Sequence, residues 1–196
     1  MGKVKIHEPA SAIFEGLSFT REEIILIESK FERVTAKKGE RLIDFNTIVD
    51  KQYFIVSGCL RSFHIDSNGR EHTIQFGIED WWISDYTAFF SAGKALMSVE
   101  VIQDAELFEI TKKDRDHLYK HIPKIEVYVR GKLETAFASF QKRILSYLSL
   151  NASARYLNFV KSYPQIEQSV KNYHIASYLG ITTESLSRIR KEIAQA

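Results

Sequence analysis

Two charged residues four positions apart, Glu184 and Arg188, are the side chains of this sequence best suited to reading the edges of base pairs. A guanidinium can donate two hydrogen bonds to a guanine, and a carboxylate can accept one from the amino group of a cytosine. Residues four apart lie on one face of a helix, so both groups would point the same way. The predicted base-reading set is Thr183, Glu184, Ser187 and Arg188.

A helix, a tight turn and a second helix over residues 172–191 would hold this face. Ala176 is small enough for two crossing helices to approach each other, and Gly180 can take the positive φ that the turn needs. Thr182 is predicted as the N-cap of the second helix. A purely structural helical hairpin is the alternative, because such a hairpin also has an apolar seam and a polar exterior. The predicted seam is Ile175, Ala176, Leu179, Ile181, Leu186 and Ile189.

The carboxyl-terminal quarter is the basic part of the chain. The whole sequence has 27 Lys and Arg against 25 Asp and Glu, a net charge of +2. Residues 141–196 hold eight Lys or Arg and three Glu, which gives +5, and residues 1–140 therefore carry −3. A polyanion is the partner that suits this asymmetry. We expect phosphate contacts from Lys171, Asn172, Tyr173, Thr182, Arg190 and Lys191.

The first half of the chain is rich in strand signals. From Val34 onward the apolar period is two, and aromatic and branched residues alternate with glycine turns. Asn68-Gly69 predicts a hairpin turn in which both residues take positive φ. A further strand pair, 98–103 and 105–111, is joined at Asp104. Six or more short strands predict an antiparallel roll or barrel with a cavity.

Helix signals flank the strands. Thr20 with Glu23 forms a capping box ahead of a helix over 20–31, and Thr111 with Asp114 marks a second start. A third helix is predicted over 152–162, and residues 165–171 are predicted as a connection to the helical hairpin.

The segment 122–149 is predicted as one long helix with an apolar stripe. At 1.5 Å per residue it would be roughly 40 Å long, more than a small roll can cover. We therefore expect part of the stripe to meet a second copy of the chain. The alternative is a helix that packs only on its own domain. The predicted dimer residues are Val129, Leu133, Phe137, Phe140 and Ile144.

Several classes of protein are disfavoured by the composition. The single cysteine, Cys59, excludes an intramolecular disulfide, and no apolar stretch reaches the eighteen residues that a membrane span needs. Without a leader peptide, a cytoplasmic location is expected. There is no His-x-His pair, glycine-rich phosphate loop or nucleophile elbow, so we expect no metal, no cofactor and no enzymatic activity.

This order of elements resembles the bacterial Crp/Fnr family, the catabolite activator and fumarate–nitrate reduction regulators. The resemblance covers roughly residues 20–196 and is strongest from Gly180 to Ile189. It implies an α+β fold with three parts: a cyclic-nucleotide-binding-like antiparallel roll of eight strands over 1–121, a dimerisation helix over 122–149 and a helix-turn-helix domain over 150–196. With few residues after Lys191, no wing is expected, as in a short form that ends at the recognition helix.

The resemblance also implies partners. It indicates a homodimer on near-palindromic double-stranded DNA with half-sites one helical turn, ~34 Å, apart. RNA polymerase and a small-molecule effector are also expected as partners. Thr183 stands where the family often has Arg, which predicts an altered base preference.

Cyclic AMP is not expected as the effector. Family members that bind it use an Arg for the cyclic phosphate, and residues 77–100 contain none. Met97 stands in the Arg place, and Lys94, the only cation of this segment, is a poor substitute for the planar two-pronged phosphate clamp of an arginine. Candidate residues of an effector pocket are Trp82, Asp85, Tyr86, Met97 and Ser98, and the alternative is that the aromatic residues fill the roll or a dimer contact. A rival function is a ligand-sensing or protein-interaction module that no longer binds DNA.

Overall fold

The fold is an antiparallel sheet followed by a run of helices, as predicted. The computed structural model describes residues 9–195; residues 1–8, which belong to the predicted roll domain, and residue 196 lie outside the described part. The strands are β1 (Glu32–Ala36), β2 (Arg41–Ile43), β3 (Lys51–Ile65), β4 (Glu71–Gly77), β5 (Trp82–Ile83) and β6 (Ser98–Thr111). They form one sheet in the order β1-β6-β3-β4, with β2 paired to β6 and β5 paired to β3.

Two strands are longer than predicted. The segments 52–58 and 59–65, which the glycine at 58 predicts as two short strands, belong to one strand, β3, and residues 98–103 and 105–111 belong to one strand, β6. The register shifts between them near Gly58, whose φ is +99°. A bulge of this kind bends a strand without ending its hydrogen-bonded ladder. The described residues therefore form six strands where the resemblance implied eight.

The hairpin between β3 and β4 is present, but its turn differs from the predicted one. Gly69 has φ +78°, whereas the φ of Asn68 is not positive. The amides of Gly69 and Asp66 donate to the carbonyls of Asp66 and Arg70, both at 3.0 Å. One glycine at the end of a longer turn thus closes the hairpin, because a three-residue loop needs only one left-handed position.

The interior of the roll is filled by side chains where the sequence analysis expected a cavity. Burying one large apolar side chain contributes about 1.5–3 kcal/mol to the stability of the fold. Fully buried members of this cluster are Ile55, Leu60, Ile83, Phe89, Val99, Val101 and Leu107.

The helices begin at the predicted caps. The capping box is confirmed: the Thr20 hydroxyl accepts from the Glu23 amide at 3.2 Å, and the Glu23 carboxylate accepts from the Thr20 amide at 2.8 Å. The Thr111 hydroxyl accepts from the Asp114 amide at 3.0 Å. The helices are α1 (Arg21–Glu28), α2 (Tyr86–Ser91), α3 (Lys112–His121), α4 (Pro123–Ser149), α5 (Ala152–Ser162), α6 (Pro164–Ser169), α7 (Asn172–Leu179) and α8 (Thr183–Ala194).

The predicted connection over 165–171 is wrong, because α6 occupies most of it. Pro164 starts that helix, where its fixed φ suits the first turn and its missing N–H costs nothing. Ile166 is buried under the neighbouring helices and holds the short element in place. None of the described helices is long and apolar enough to cross a bilayer.

The long helix α4 is packed only near its ends. Ile125 is buried, and Tyr128 and Val129 pack against the same cluster of the roll. Residues 130–142 are all exposed. Val129, predicted as the first dimer residue, is therefore partly covered by its own chain, and the free part of the stripe begins at Leu133.

Candidate nucleic-acid interface

The helical hairpin is built by α7, a glycine turn and α8. Gly180 has φ +67°, and the amides of Gly180 and Ile181 donate to the carbonyls of Ser177 and Ala176 at 3.2 and 3.0 Å. This pair of bonds is the Schellman arrangement, which satisfies the last carbonyls of a helix. All but one of the predicted seam residues are buried, and the remaining one, Ile181, is half-buried.

The amino end of α8 is capped and carries a negative charge. The Thr182 hydroxyl accepts from the Ser185 amide at 3.2 Å, as predicted for the N-cap. The Thr183 hydroxyl donates to the Glu184 carboxylate at 3.1 Å. Hydrogen bonds from its own amide and from both hydroxyls lower the pKa of Glu184. The carboxylate is therefore ionised at neutral pH and is oriented by the first turn of the helix.

The outer face of α8 presents the predicted base-reading side chains to solvent. Glu184, Ser187 and Arg188 are exposed, and Thr183 is half-buried. The Ser187 hydroxyl donates to the Thr183 carbonyl at 3.0 Å, so its donor is used within the helix. The Arg188 guanidinium makes no ion pair with any residue in the described range. Arg188 is thus the long donor on this face that is open to a ligand.

The predicted phosphate-contact residues fall into two groups. Lys171, Tyr173 and Lys191 are exposed, and the Lys171 ammonium lies 5.7 Å from the centre of the Tyr173 ring. The Arg190 guanidinium, by contrast, donates to the Asn172 side chain at 2.6 Å.

Arg190 also bonds two residues outside the helical hairpin. It lies 2.8 Å from the Glu167 carboxylate and 3.1 Å from the Tyr156 hydroxyl. These contacts join α8 to α5 and α6. Arg190 and Asn172 therefore hold the hairpin together, and a phosphate contact by either would have to compete with these bonds. The sequence had no signal for this role, since Glu167 and Tyr156 are distant along the chain.

Two of the candidate effector residues, Trp82 and Tyr86, pack in different clusters. Trp82 packs against Phe54, with ring centres 5.3 Å apart, in the cluster beneath α1 and α3. Tyr86 instead stacks on Phe90 at 5.3 Å and packs against the interior cluster. The Ser98 hydroxyl accepts from the Phe45 amide at 3.1 Å. Trp82 and Tyr86 are thus both half-buried against the core, and the effector pocket stays a prediction.

Asp85 is a fully buried structural carboxylate. One oxygen accepts from the amides of Thr87 and Ala88 at 3.1 and 3.3 Å. The other accepts from the amides of Leu96 and Met97 at 2.6 and 2.9 Å. Because all four donors are backbone amides, two in the first turn of α2 and two after that helix, the carboxylate has little capacity left for a ligand.

We expect Asp85→Ala to lower the free energy of unfolding by about 2–4 kcal/mol, because several buried amides would lose their acceptor. Urea unfolding followed by circular dichroism measures the change, and the exposed neighbour Glu79 supplies the control, Glu79→Ala. An unchanged unfolding midpoint in Asp85→Ala would show that the carboxylate is not structural.

The helical hairpin is attached to the edge strand of the roll. The Ser177 hydroxyl on α7 donates to the Glu71 carbonyl and accepts from the Thr73 amide, both at 2.8 Å. Arg143 on α4 donates to the Ile74 carbonyl, and its guanidinium lies 4.1 Å from the centre of the Tyr178 ring. Since β4 has a free edge, these bonds satisfy backbone groups that would otherwise face water.

A buried arginine that the sequence analysis did not single out lies beneath α7. Arg61 on β3 is 3% exposed, and its guanidinium bonds the Glu71 and Glu100 carboxylates at 2.6 and 2.7 Å. His174 on α7 is also buried, and burial, followed by the charge of Arg61, lowers its pKa to about 3. The imidazole is therefore neutral where α7 meets the roll.

Comparison with known proteins supports the fold. The family described as the cyclic nucleotide-binding domain matches residues 33–121, which is most of the roll. No curated protein matches the chain. The c-di-GMP responsive global regulator CLP of Xanthomonas campestris has a similar structure, with a TM-score of 0.73 and 12% identity over 90% of this chain and 92% of that one.

Two further solved structures are similar over most of their length. The catabolite activator protein of Thermus thermophilus gives a TM-score of 0.56 and 20% identity, covering 93% of this chain and 86% of its own. A protein of Eubacterium rectale described as a transcriptional regulator of the Crp/Fnr family gives 0.68 and 17%, covering 90% and 84%. At these identities the similarity establishes the fold.

Proposed function

We propose that this chain is a DNA-binding transcription regulator of the Crp/Fnr type, which acts as a homodimer on a near-palindromic site. The observation that carries the proposal is the outer face of α8, where an ionised Glu184 and an unpaired Arg188 lie exposed on one capped helix. The similarity of the whole chain to solved transcription regulators supports it.

In this proposal α8 lies in the major groove and reads bases through its amino-terminal half. Arg188 donates two hydrogen bonds to a guanine, and Glu184 accepts one from a cytosine amino group. Thr183 and Ser187 make shorter polar contacts beside them. Lys171, Tyr173 and Lys191 contact phosphates. Arg190 acts mainly by holding α8 on α5 and α6, and Asn172 by bonding Arg190 from α7. Thr182 contributes through its cap.

The proposed dimer forms through the free part of α4. All four remaining stripe residues are exposed in the single chain: Leu133 is 38% exposed, Phe137 65%, Phe140 38% and Ile144 58%. Exposed apolar side chains that recur at threes and fours along a helix are the pattern of a helix–helix seam. Two such helices side by side would place two copies of α8 on successive turns of one DNA face. The proposed domain organisation is a roll over 1–121, a dimerisation helix over 122–149 and a DNA-binding domain over 150–196.

We propose further that cyclic AMP does not control the protein. The Met97 side chain cannot bond a phosphate, and its amide is held by Asp85, the carboxylate in the same loop. Placing a cyclic phosphate there without a cationic partner would cost more than the remaining contacts return. If a small molecule acts on the roll, its chemistry differs from that of a cyclic nucleotide.

Selection of bound fragments from the host's own genomic DNA tests the proposed function. We expect recovery of a motif with two related half-sites and an affinity that falls steeply with added salt. A protein that binds no duplex at low ionic strength would instead be the protein-interaction module considered above.

Arg188→Ala tests the role of α8. We expect a loss of about 1–3 kcal/mol in binding free energy on the selected site, with relaxed preference at one position per half-site. Fluorescence anisotropy on the selected duplex and on its single-base variants measures both. Lys113→Gln, which removes an exposed cation of α3 at a distance from α8, is the control. An equal loss on scrambled duplex would make Arg188 a phosphate contact.

A further inference from the structure

An open groove of about 470 Å³ separates the turn of the β3–β4 hairpin from the helical hairpin. One wall is formed by Gly69, Arg70 and Glu71 at the start of β4. The opposite wall includes Tyr173 of α7 and Thr183 of α8. The second wall contains residues of the proposed DNA interface, so a duplex on that interface would lie beside the turn.

The turn is braced by internal hydrogen bonds and is attached to α7. The Asp66 carboxylate accepts from the amides of Asn68 and Arg70 at 2.9 and 3.0 Å, which fixes the turn internally. The two bonds of Ser177 to the backbone of β4 attach the base of the hairpin to α7. Ordering a ligand against such a wall costs little conformational entropy, since the wall is already in place.

Arg70 is the cation that this turn presents to solvent. Its side chain is exposed, and its guanidinium makes no ion pair with any residue between 9 and 195. The two neighbouring carboxylates have partners of their own. Glu71 bonds the Arg61 guanidinium at 2.6 Å, and Asp66 lies 2.8 Å from the His72 ring.

Two further exposed cations, Lys38 and Lys171, act electrostatically on α7. Burial lowers the pKa of His174, and the charges of Arg61, Lys171 and Lys38 lower it further, so both lysines lie within electrostatic reach of α7. Lys38 and Lys171 are exposed. Exposed positive charge from the roll and from the helical hairpin therefore lies within electrostatic reach of α7, and a phosphodiester backbone is the partner that complements it.

We propose that the roll takes part directly in DNA binding, with Arg70 at the tip of the β3–β4 hairpin contacting the phosphate backbone beside the half-site held by α8. This inference rests on the proposed function, in which Tyr173 and Thr183 face DNA. Arg70 contributes affinity and no base preference, because phosphates are the same at every base pair.

The test is the salt dependence of binding by Arg70→Gln. The probe is a duplex of roughly 40 base pairs, enough for two half-sites one turn apart, in the selected sequence and in a scrambled one. We expect the slope of log affinity against log salt to fall by about 0.9 per subunit on both duplexes. The ratio of variant to wild-type affinity should accordingly change about threefold between 50 and 200 mM salt for each phosphate that Arg70 no longer neutralises.

Two variants provide controls. Arg70→Lys keeps the charge and should retain most of the wild-type slope, whereas Lys113→Gln on α3 should leave it unchanged. A wild-type slope in Arg70→Gln would overturn the proposal, and so would an increased affinity, which would make the turn a steric barrier to DNA. If the wild-type protein binds neither duplex, the proposed function itself fails, and this outcome is distinct from a failure of Arg70 alone.

Discussion

Phe137→Glu is expected to convert the protein from a dimer to a monomer. Phe137 is 65% exposed in the single chain, so the substitution leaves the monomer's own packing intact. In the proposed dimer it would bring two carboxylates together in the apolar seam, where an unpaired charge is costly. Light scattering should then give a mass near 22.7 kDa in place of twice that value.

The same substitution should nearly abolish specific DNA binding. When two half-site contacts are linked, the second becomes intramolecular, and this linkage raises overall affinity by about 10²–10⁴-fold. A monomer lacks this increase in affinity even though its α8 is intact. We therefore expect a loss of this order on the selected duplex, measured by fluorescence anisotropy at constant salt.

Thr135→Glu is the matched control. Thr135 lies two residues before Phe137, on the opposite side of α4, and is also exposed. It adds the same charge to the same helix without entering the stripe, so mass and affinity should stay at wild-type values. A dimeric Phe137→Glu protein would contradict the proposed seam and leave α4 as a helix of the single chain.

Gly58→Ala is expected to lower the free energy of unfolding by about 2–5 kcal/mol. Gly58 has φ +99°, and a Cβ there would lie 2.4 Å from the Asp104 carbonyl oxygen and 2.7 Å from the Ala105 Cα. Both contacts are with the backbone of β6, so a rotamer change cannot relieve them. The cost combines a strained backbone, about 1–3 kcal/mol, with overpacking of similar size.

Gly39→Ala separates the two contributions. Gly39 has a similar φ of +91°, but a Cβ there meets no atom within 4 Å. Gly39→Ala should therefore lower the free energy of unfolding only by the cost of the strained backbone, about 1–2 kcal/mol. Urea unfolding followed by circular dichroism compares the two variants, and equal losses would contradict the close approach of β3 and β6 at the bend.

Local features of this fold follow from short stretches of sequence. Thr20 with Glu23, Thr182 and Gly180 each act on backbone groups within a few residues, so their chemistry can be read without knowing the rest of the fold. The polar face of α8 follows in the same way from helical periodicity. The candidate base-reading residues were thus accessible from the sequence.

Features that depend on distant partners required the tertiary structure. Arg61 is 39 residues from Glu100, and Arg190 is 34 residues from Tyr156, so no spacing indicates either pair. The sequence made Asp85 a plausible pocket residue. In the structure its carboxylate accepts hydrogen bonds from the backbone amides of Leu96 and Met97. Whether a charged group serves a ligand or the fold depends on which partners lie within about 3 Å of it.

The sequence by itself determined the capped starts of α1, α3 and α8, which face of the last helix is polar, and which quarter of the chain is basic. The tertiary structure decided that Gly58 bends β3 without ending it, that Asn172 and Arg190 bond each other, and that Arg70 lies across a groove from Thr183. The physical reason is the distance along the sequence over which each interaction acts. Capping and periodicity involve residues within one or two helical turns, whereas hydrogen bonds and ion pairs between elements depend on the tertiary arrangement of those elements.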